Sequence, residues 1–417
     1  MEQSMVVVGN GCAGAECIKA LRESGYKGKI NLFTDSQWPV YNPMLTTYYA
    51  AGKIGFDGLF PYGVNQEFYL KYGVDAHAES PVVSLDAEKK IVYVKSGLEL
   101  KYDKCLIATG AAPVLPPVEG IGSDRVFTMR TVEDAIRLKE AMAKNPKKAL
   151  VVGASMVGVK LAELFYRAGL EVHLADLARH IFPMAAHPEC ARVIEEHLTQ
   201  KGIKLRFGAE IEKVEETTRG VRAYFKGSVE SVEADLLMMC IGVRANTGFI
   251  DRKQVEADRG ISVNGQMRTS IPGLYAAGDV AQGKNLLSGG SEIIGLWNNA
   301  RYQGRTAGRN MAGGNESFPG NIPHYITHFM GMDFVGIGDV NGRDRMEKKY
   351  DGKRYIQLFW KDSILTGANF LDCYVESGAI KNALIKGLKQ KGPILSGSLP
   401  IIQNQLIKNV LLEVERA

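Results

Sequence analysis

The chain has 417 residues, 45% of them hydrophobic, so it is too long for one compact core and is expected to form two or three domains. Its 51 basic and 46 acidic residues leave a formal net charge of +5, which gives no reason to expect a nucleic acid or an anionic membrane as partner. No stretch approaches the roughly 20 apolar residues of a membrane span, and the apolar run near the start is too short for a secretory leader. We therefore expect a cytoplasmic protein.

The first predicted element is a short strand over residues 5–8, followed by a glycine-rich turn and a helix. The turn has the pattern GxGxxG. Its first glycine permits the tight turn, the second lets a pyrophosphate approach the backbone, and the third allows the helix to pack closely on the strand. The next strand ends about 20 residues further on in an aspartate, which suits a ribose hydroxyl; a purely structural turn is the alternative. The positions predicted to bind a dinucleotide here are Gly9, Gly11, Cys12, Ala13, Gly14 and Asp35.

A second copy of this pattern follows a predicted strand over residues 149–152 and ends at Gly158. Serine replaces the middle glycine, which narrows the approach of a phosphate slightly. The following strand also ends in an aspartate, which would bind the 2′-hydroxyl of NAD and repel the extra phosphate of NADP. Arg179 and His180 stand nearby and would soften that repulsion, so NADP stays open. The positions predicted to bind NAD are Gly153, Ser155, Met156, Val157, Asp176 and Gly242. Two complete copies predict two bound dinucleotides.

From residue 315 onward the chain changes character. Alternating polar and apolar stretches over residues 324–340 and 353–371 predict antiparallel strands, and residues 382–391 read as a helix. Residues 399–417 predict a last helix with a wide apolar stripe, which would dock onto its own domain or a neighbouring chain. Together these elements predict a small α+β domain.

The six cysteines form neither a CxxC pair nor a spacing that could hold zinc or an iron–sulfur cluster. Cys12 and Cys17 are five residues apart, and a helix rotates by about 500° over that distance, so their side chains point to different faces. Buried small apolar side chains are the preferred interpretation, and a redox disulfide is the alternative. Any iron–sulfur centre must then belong to a partner protein.

Two further segments resemble motifs of a known family, the two-dinucleotide-fold FAD/NAD(P) or pyridine nucleotide oxidoreductases. Residues 102–117 look like the family's ATG segment, at which the chain leaves the FAD domain, and residues 260–281 are similar to its second FAD motif. The resemblance covers about residues 5–313 and implies FAD at the first turn and NAD(H) at the second. The positions that match these two motifs are Thr109, Gly110, Gly278 and Asp279, of which the last two would hold the ribityl and pyrophosphate region.

The resemblance implies an α/β fold with two Rossmann-like dinucleotide-binding domains, for FAD and NAD, plus a small α+β C-terminal domain. The FAD domain would be discontinuous, with residues 1–113 and 242–315, and the NAD domain, residues 114–241, would be inserted into it. Residues 316–417 would form the C-terminal interface domain. In the family this domain often carries dimer or partner contacts, so a homodimer is one expectation.

Residues 38–53, WPVYNPMLTTYYAAGK, resemble ferredoxin-reductase-like and nitrite-reductase-like members of the family. Members that reduce disulfides or peroxide place a reactive cysteine in this segment beside the flavin. Because no cysteine lies here, thiol chemistry is disfavoured. Asn42 stands where the family usually has arginine, and Thr47 where it usually has lysine. The resemblance places Asn42, Val82 and Trp297 among the FAD contacts, although Trp297 could simply pack in the core.

Lys160 marks a further departure, because the family usually has glutamate at this position of the helix after the second turn. In the family, the lysine at the position of Thr47 and the glutamate at the position of Lys160 lie near the flavin and the nicotinamide. Lys160 could therefore supply the positive charge lost at Thr47 and stabilise the electron-rich flavin ring. The alternative is a surface-directed helix residue. Thr47 and Lys160 are thus the candidate catalytic positions.

A flavin accepts a hydride and can release electrons singly, which suits it to link NAD(H) with one-electron centres. The departures at Asn42 and Thr47 resemble FAD-binding subunits of anaerobic complexes, above all those that oxidise 2-oxoacids such as phenylglyoxylate and next those of tungsten-dependent aldehyde oxidoreductases. The leading expectation is an electron-transfer subunit that works with iron–sulfur and catalytic subunits. A free-standing NADH:ferredoxin or rubredoxin reductase with a ferredoxin-like carrier is the alternative. A structural flavin-binding subunit with a vestigial NAD site is the third.

Overall fold

The computed structural model describes residues 3–374, 377–389 and 393–395. Contacts divide the chain into two compact units. Unit 1 comprises the described residues of Met1–Pro113, Arg130–Arg137 and Val243–Asn321, and unit 2 comprises those of Val114–Met129, Leu138–Gly242 and Ile322–Ala417.

The helices and strands of the described residues follow in chain order. The α-helices are α1 (Cys12–Glu23), α2 (Thr46–Ala50), α3 (Glu67–Lys71), α4 (Val132–Met142), α5 (Met156–Arg167), α6 (Pro188–Gln200), α7 (Trp297–Met311) and α8 (Ser377–Ile385), with short 3₁₀-helices at Pro43–Leu45 and Phe56–Leu59. The first strands are β1 (Met5–Val8), β2 (Ile30–Phe33), β3 (Val74–His77), β4 (Val82–Asp86), β5 (Ile91–Val94), β6 (Glu99–Lys101), β7 (Lys104–Ile107) and β8 (Ala111–Pro113). The middle strands are β9 (Val126–Phe127), β10 (Lys148–Val152), β11 (Glu171–Asp176), β12 (Lys204–Phe207), β13 (Ile211–Glu216), β14 (Val221–Phe225), β15 (Val232–Ala234) and β16 (Leu236–Met239). The last strands are β17 (Val243–Ala245), β18 (Ile261–Ser262), β19 (Leu274–Ala276), β20 (Ala281–Lys284), β21 (Ser291–Glu292), β22 (His324–Phe329), β23 (Met332–Gly338), β24 (Arg345–Tyr350), β25 (Tyr355–Lys361) and β26 (Ile364–Leu371).

Unit 1 is built on a five-stranded parallel sheet with the order β3-β2-β1-β7-β19. All four residues of β1 are buried, as expected for a central strand that is covered on both faces. Val7 belongs to the cluster that contains α1 and α7 side chains, whereas Val6 packs in the cluster that contains residues of β4 and β5. The alternation of side chains along β1 therefore supplies two separate cores.

Helices α1 and α7 pack with their backbones in close approach. A Cβ added at Gly304 would lie 2.3 Å from the carbonyl oxygen of Ala13, and one added at Gly308 would lie 2.4 Å from that of Cys17. Glycine is therefore needed at both positions of α7, because any side chain would separate the helices. The contact fixes the start of α1 on the sheet.

A buried carboxylate adds a polar link between these helices. Glu16 on α1 is 1% exposed, and its side chain accepts hydrogen bonds from Tyr62 (2.7 Å) and Arg305 of α7 (2.5 Å). Burial by itself would raise the pKa of Glu16, but these hydrogen bonds lower it below its ordinary value. Glu16 is thus held in its charged form inside unit 1.

Unit 2 repeats the parallel arrangement with the order β12-β11-β10-β16-β9. Two parallel Rossmann-like sheets with further α and β elements confirm the predicted α/β class. The predicted antiparallel strands near the C-terminus are also present, as the five-stranded sheet β22-β23-β26-β25-β24.

The C-terminal sheet packs on residues 181–187, which lie between β11 and α6. The Asn369 side chain donates to the Ala185 carbonyl (2.7 Å) and accepts from the His187 backbone N–H (2.8 Å). Phe182 stacks on Phe334, with 4.9 Å between ring centroids. These contacts explain why both segments fall into one unit.

The division into two compact units does not test the predicted three-domain boundaries, which stay a prediction. Residues 130–137 join unit 1, and the C-terminal sheet joins unit 2. The predicted last helix over residues 399–417 lies outside the described residues. Within the described ranges, no helix has the length and apolarity needed to cross a bilayer.

Replacing Gly304 by alanine tests the close packing of α1 on α7. The added Cβ meets backbone atoms that can move only with their helices, so we expect Gly304→Ala to destabilise α1 by about 1–3 kcal/mol. Hydrogen exchange of α1 peptides, measured by mass spectrometry, reports this loss.

The matched control is Gly378→Ala on α8. Among the described residues, a Cβ there meets nothing within 4 Å, so this variant should leave exchange of α1 unchanged and strengthen α8 slightly. Unchanged α1 exchange in Gly304→Ala would contradict the packing described above.

Candidate dinucleotide-binding sites

The first glycine turn has the three local geometries that the motif requires. Gly9 has φ of +111°, and a Cβ there would lie 2.3 Å from the carbonyl oxygen of Ala108. A Cβ at Gly14 would lie 2.3 Å from the Gly9 carbonyl oxygen, so glycine lets α1 pack onto its strand. A Cβ at Gly11 would meet no atom of the described part of the chain within 4 Å. The open side of the turn is therefore at Gly11, where a pyrophosphate could approach the backbone.

Helix α1 presents its backbone amides at this open side. Gly11 is the N-cap in an extended conformation, and no side chain caps the helix, which begins at Cys12. The Asn10 side chain anchors the turn by donating to the Trp38 carbonyl (3.1 Å) and the Tyr69 hydroxyl (2.8 Å). A helix N-terminus with its amides directed at open space suits an anionic phosphate.

The predicted ribose acid lies at the same edge of the sheet as the turn. Strands β1 and β2 are parallel, with Val8 opposite Phe33, so their carboxyl ends meet. Asp35 follows β2 and is exposed. Val82 is half-buried at the start of β4, in the separate three-stranded sheet β4-β5-β6.

The ATG segment passes directly beside the first turn. The Thr109 hydroxyl donates to the Asn246 carbonyl (2.8 Å), and the Asn246 side chain donates back to the Thr109 carbonyl (2.9 Å). The Gly110 carbonyl accepts from the Asn246 backbone N–H (2.9 Å). These bonds join the end of the first segment of unit 1 to the start of its last segment.

The second predicted FAD motif also lies against α1. A Cβ at Gly278 would be 3.2 Å from the Cβ of Ala13, so the two turns are in contact. The Asp279 carboxylate pairs with Arg130 at 2.7 Å. Sequence reasoning missed Arg130, which is 149 residues away and carries no motif. A guanidinium here can bind phosphate oxygens as well as the carboxylate.

Two other predicted FAD contacts, Asn42 and Trp297, and the candidate catalytic residue Thr47 also lie in unit 1. The Asn42 side-chain oxygen accepts from the Met44 backbone N–H (3.0 Å) and so caps a 3₁₀-helix. Thr47 is 9% exposed on α2. Trp297 is the first residue of α7, packs on the apolar cluster and accepts through its carbonyl from the Cys12 thiol (3.8 Å). Contacts of these residues with a flavin stay a prediction.

The second glycine turn repeats the geometry of the first turn at its first and last glycines. Gly153 has φ of +110°, and a Cβ there would lie 2.3 Å from the Cys240 carbonyl oxygen. A Cβ at Gly158 would lie 1.9 Å from the Gly153 carbonyl oxygen. The first residues of α5, Met156 and Val157, offer their amides at the helix start, and Val157 is exposed.

Ser155 makes the second turn different from the first. Its hydroxyl accepts from the Gly158 backbone N–H (3.3 Å) and donates to the Cys240 carbonyl (3.2 Å). The side chain is therefore the N-cap of α5 and bonds to its own turn. One amide of the helix start is already satisfied in this way.

Asp176 serves the second turn directly. It ends β11, beside β10, and its two oxygens accept from the backbone N–H groups of Ala154 (2.6 Å) and Ala178 (2.7 Å). A carboxylate has roughly four acceptor sites, so a ribose hydroxyl can still bind. Gly242 is exposed, and its carbonyl accepts from the Val114 backbone N–H (3.0 Å).

Lys160 is held inside unit 2. Its Nζ donates to the Glu163 carboxylate (2.9 Å) and to the His328 carbonyl (2.5 Å), and its side chain is 14% exposed. Burial by itself would raise the pKa of Glu163, but the hydrogen bond and charge of Lys160 lower it below its ordinary value. Lys160 thus compensates a buried carboxylate and links α5 to β22, and neither role was foreseen. Its role at a flavin stays a prediction.

All six cysteines are buried. Cys12 and Cys17 both lie on α1, in different surroundings: Cys12 contacts Tyr62 and Trp297, and Cys17 contacts Met311. Burial raises the pKa of the Cys12 thiol to about 11. Since the thiolate is the reactive form, this position is unsuited to thiol chemistry near neutral pH.

Replacing Lys160 by methionine separates its two roles. We expect Lys160→Met to destabilise α5 by about 2 kcal/mol, because Glu163 loses a nearly buried charged partner. Hydrogen exchange of α5 measures this change. The flavin reduction potential of the same variant tests the predicted role of Lys160 at the flavin, and an unchanged potential would contradict that role.

The control is Arg167→Met, which removes a second partner of the same carboxylate. Arg167 is 54% exposed in its side chain, so its loss should cost less than about 1 kcal/mol. A reduction potential that falls in Lys160→Met but not in Arg167→Met would support the predicted role of Lys160 at the flavin.

Known proteins share both the motifs and the fold. Residues 3–304 match the family described as pyridine nucleotide-disulphide oxidoreductase. The chain is similar to the epsilon subunit of NADH-dependent phenylglyoxylate dehydrogenase of Aromatoleum evansii, with 27% identity over 91% of this chain and 91% of that protein. It is 30% identical to the NADH oxidase of Methanocaldococcus jannaschii over 80% of this chain and 75% of that one.

A solved structure gives the same result for the fold. The NAD-dependent persulfide reductase from A. fulgidus has a TM-score of 0.86 and 24% sequence identity, with 99% of this chain and 83% of that chain covered. The glycine geometry at both turns fits a dinucleotide, as the family requires. The predicted family is therefore confirmed: this chain belongs to the pyridine nucleotide-disulphide oxidoreductases and is an oxidoreductase with FAD and NAD(H) as cofactors.

Proposed function

We propose that this chain is a FAD-containing electron-transfer subunit of a larger cytoplasmic oxidoreductase. It passes electrons between iron–sulfur centres of partner subunits and NAD(H). The substrate, a 2-oxoacid such as phenylglyoxylate or an aldehyde, is oxidised by a catalytic partner subunit and does not contact this chain.

The observation that carries the proposal is the burial of the cysteines. Many flavin enzymes pass electrons through a reactive thiol, which must be accessible as a thiolate. Here all six are buried, and burial raises the pKa of Cys12, Cys17 and Cys105. Since these thiols are unsuited to that role, electrons from the flavin are expected to go to another protein.

Similarity to a subunit of a larger enzyme supports the proposal. The phenylglyoxylate dehydrogenase epsilon subunit is itself a component of an NADH-dependent dehydrogenase, and it aligns over 91% of both chains.

The residues of each turn have defined tasks in this function. The amides at the start of α1 and the pair of Asp279 and Arg130 would hold FAD, and the amides at the start of α5 with Asp176 would hold NAD(H). FAD exchanges a hydride with the nicotinamide and can deliver electrons one at a time. The protein contributes binding and orientation.

Purification of the tagged chain from its native cells under anaerobic, low-salt conditions tests the proposal. We expect iron–sulfur and catalytic subunits to copurify in fixed proportion, and the complex to reduce NAD⁺ with phenylglyoxylate or an aldehyde. The untagged strain, treated identically, is the control.

Two results would contradict the proposal in different ways. A lone chain or homodimer that reduces rubredoxin or ferredoxin with NADH would be a free-standing reductase. A complex whose flavin NADH cannot reduce would contain this chain as a structural subunit with a vestigial NAD site.

A further inference from the structure

Gln303 on α7 makes a hydrogen bond at the second flavin motif. Its side chain is 2% exposed, and its Oε1 accepts from the backbone N–H of Gly278 at 2.8 Å. Gly278 directly precedes Asp279, which pairs with Arg130. Neither the motif pattern nor the composition pointed to Gln303, because its partner is 25 residues away.

Gln303 and its neighbour bind the two flavin turns from one helix. Gly304 packs against the carbonyl of Ala13 at the start of α1, and Gln303 holds Gly278. The two turns are themselves in contact, since a Cβ at Gly278 would be 3.2 Å from the Cβ of Ala13. One turn of α7 therefore sets the separation of both motifs.

We infer that Gln303 is a positioning residue for FAD, which fixes Asp279 relative to the first amides of α1. Without the Gln303 oxygen, the buried N–H of Gly278 has lost its partner, and such a group costs free energy until the backbone moves to satisfy it. Movement of this backbone displaces Asp279 and its pairing with Arg130. The inference needs only flavin binding, so it does not depend on the partner proposed above.

Removal of the acceptor tests the inference. The full-length protein is freed of flavin, and FAD is titrated back while flavin fluorescence is followed. We expect Gln303→Met, which keeps the length but lacks the oxygen, to raise the FAD dissociation constant about tenfold. Hydrogen exchange at the Gly278 amide should become faster in the same variant.

Conservative variants separate positioning from simple loss of packing. Gln303→Glu retains an oxygen for the Gly278 N–H and should bind FAD more tightly than Gln303→Met. Gln303→Asn keeps the polar group but shortens the side chain by one methylene. It should therefore raise the FAD dissociation constant as Gln303→Met does. If Gln303→Met fails to fold, Gln303→Asn provides the same test.

Gln254 provides the matched control in the same unit. Its Oε1 accepts from the backbone N–H of Ala87, also at 2.8 Å, but neither residue belongs to a flavin motif. Gln254→Met should therefore leave the FAD dissociation constant unchanged. The inference is overturned if Gln303→Met and Gln303→Asn bind FAD no more weakly than Gln254→Met does.

Discussion

The close approach of α7 to α1 is the contact on which the proposed flavin site depends. Gly304 and Gly308 let the two helix backbones meet at Ala13 and Cys17. The amides that would hold a pyrophosphate stand at the start of α1, and the second flavin motif is bonded to α7. Small residues on one helix thus place two motifs that are more than 250 residues apart in the chain.

The same turn occurs twice because in both places a helix must pack closely on the strand that precedes it. In each copy the first glycine avoids a carbonyl of the neighbouring strand, Ala108 or Cys240, and the last avoids the first glycine's own carbonyl. The copies differ in the middle, where Gly11 leaves open space and Ser155 caps its helix. The first turn thus admits a pyrophosphate more freely, and the second has fewer unsatisfied amides to offer.

Sequence reasoning succeeded where the structure is decided locally. The strand, turn, helix and strand of both motifs follow from hydrophobic runs and glycine spacing, and both parallel sheets form as predicted. It could not find Arg130 or Gln303, because their partners come from distant segments. It did not find the bonds of Lys160 to a buried carboxylate and a backbone carbonyl, and the role of Lys160 at a flavin stays a prediction. Such pairings are set by tertiary packing, and no short pattern encodes them.

The central claim is that hydride from NADH reaches a flavin that has no reactive thiol beside it. Anaerobic titration of the FAD-loaded chain, followed by flavin absorbance, tests this claim most directly. The account predicts that NADH bleaches the flavin and that full reduction takes about two electrons per FAD. Uptake of about four electrons per FAD would reveal a second redox group, such as a disulfide, and would contradict it.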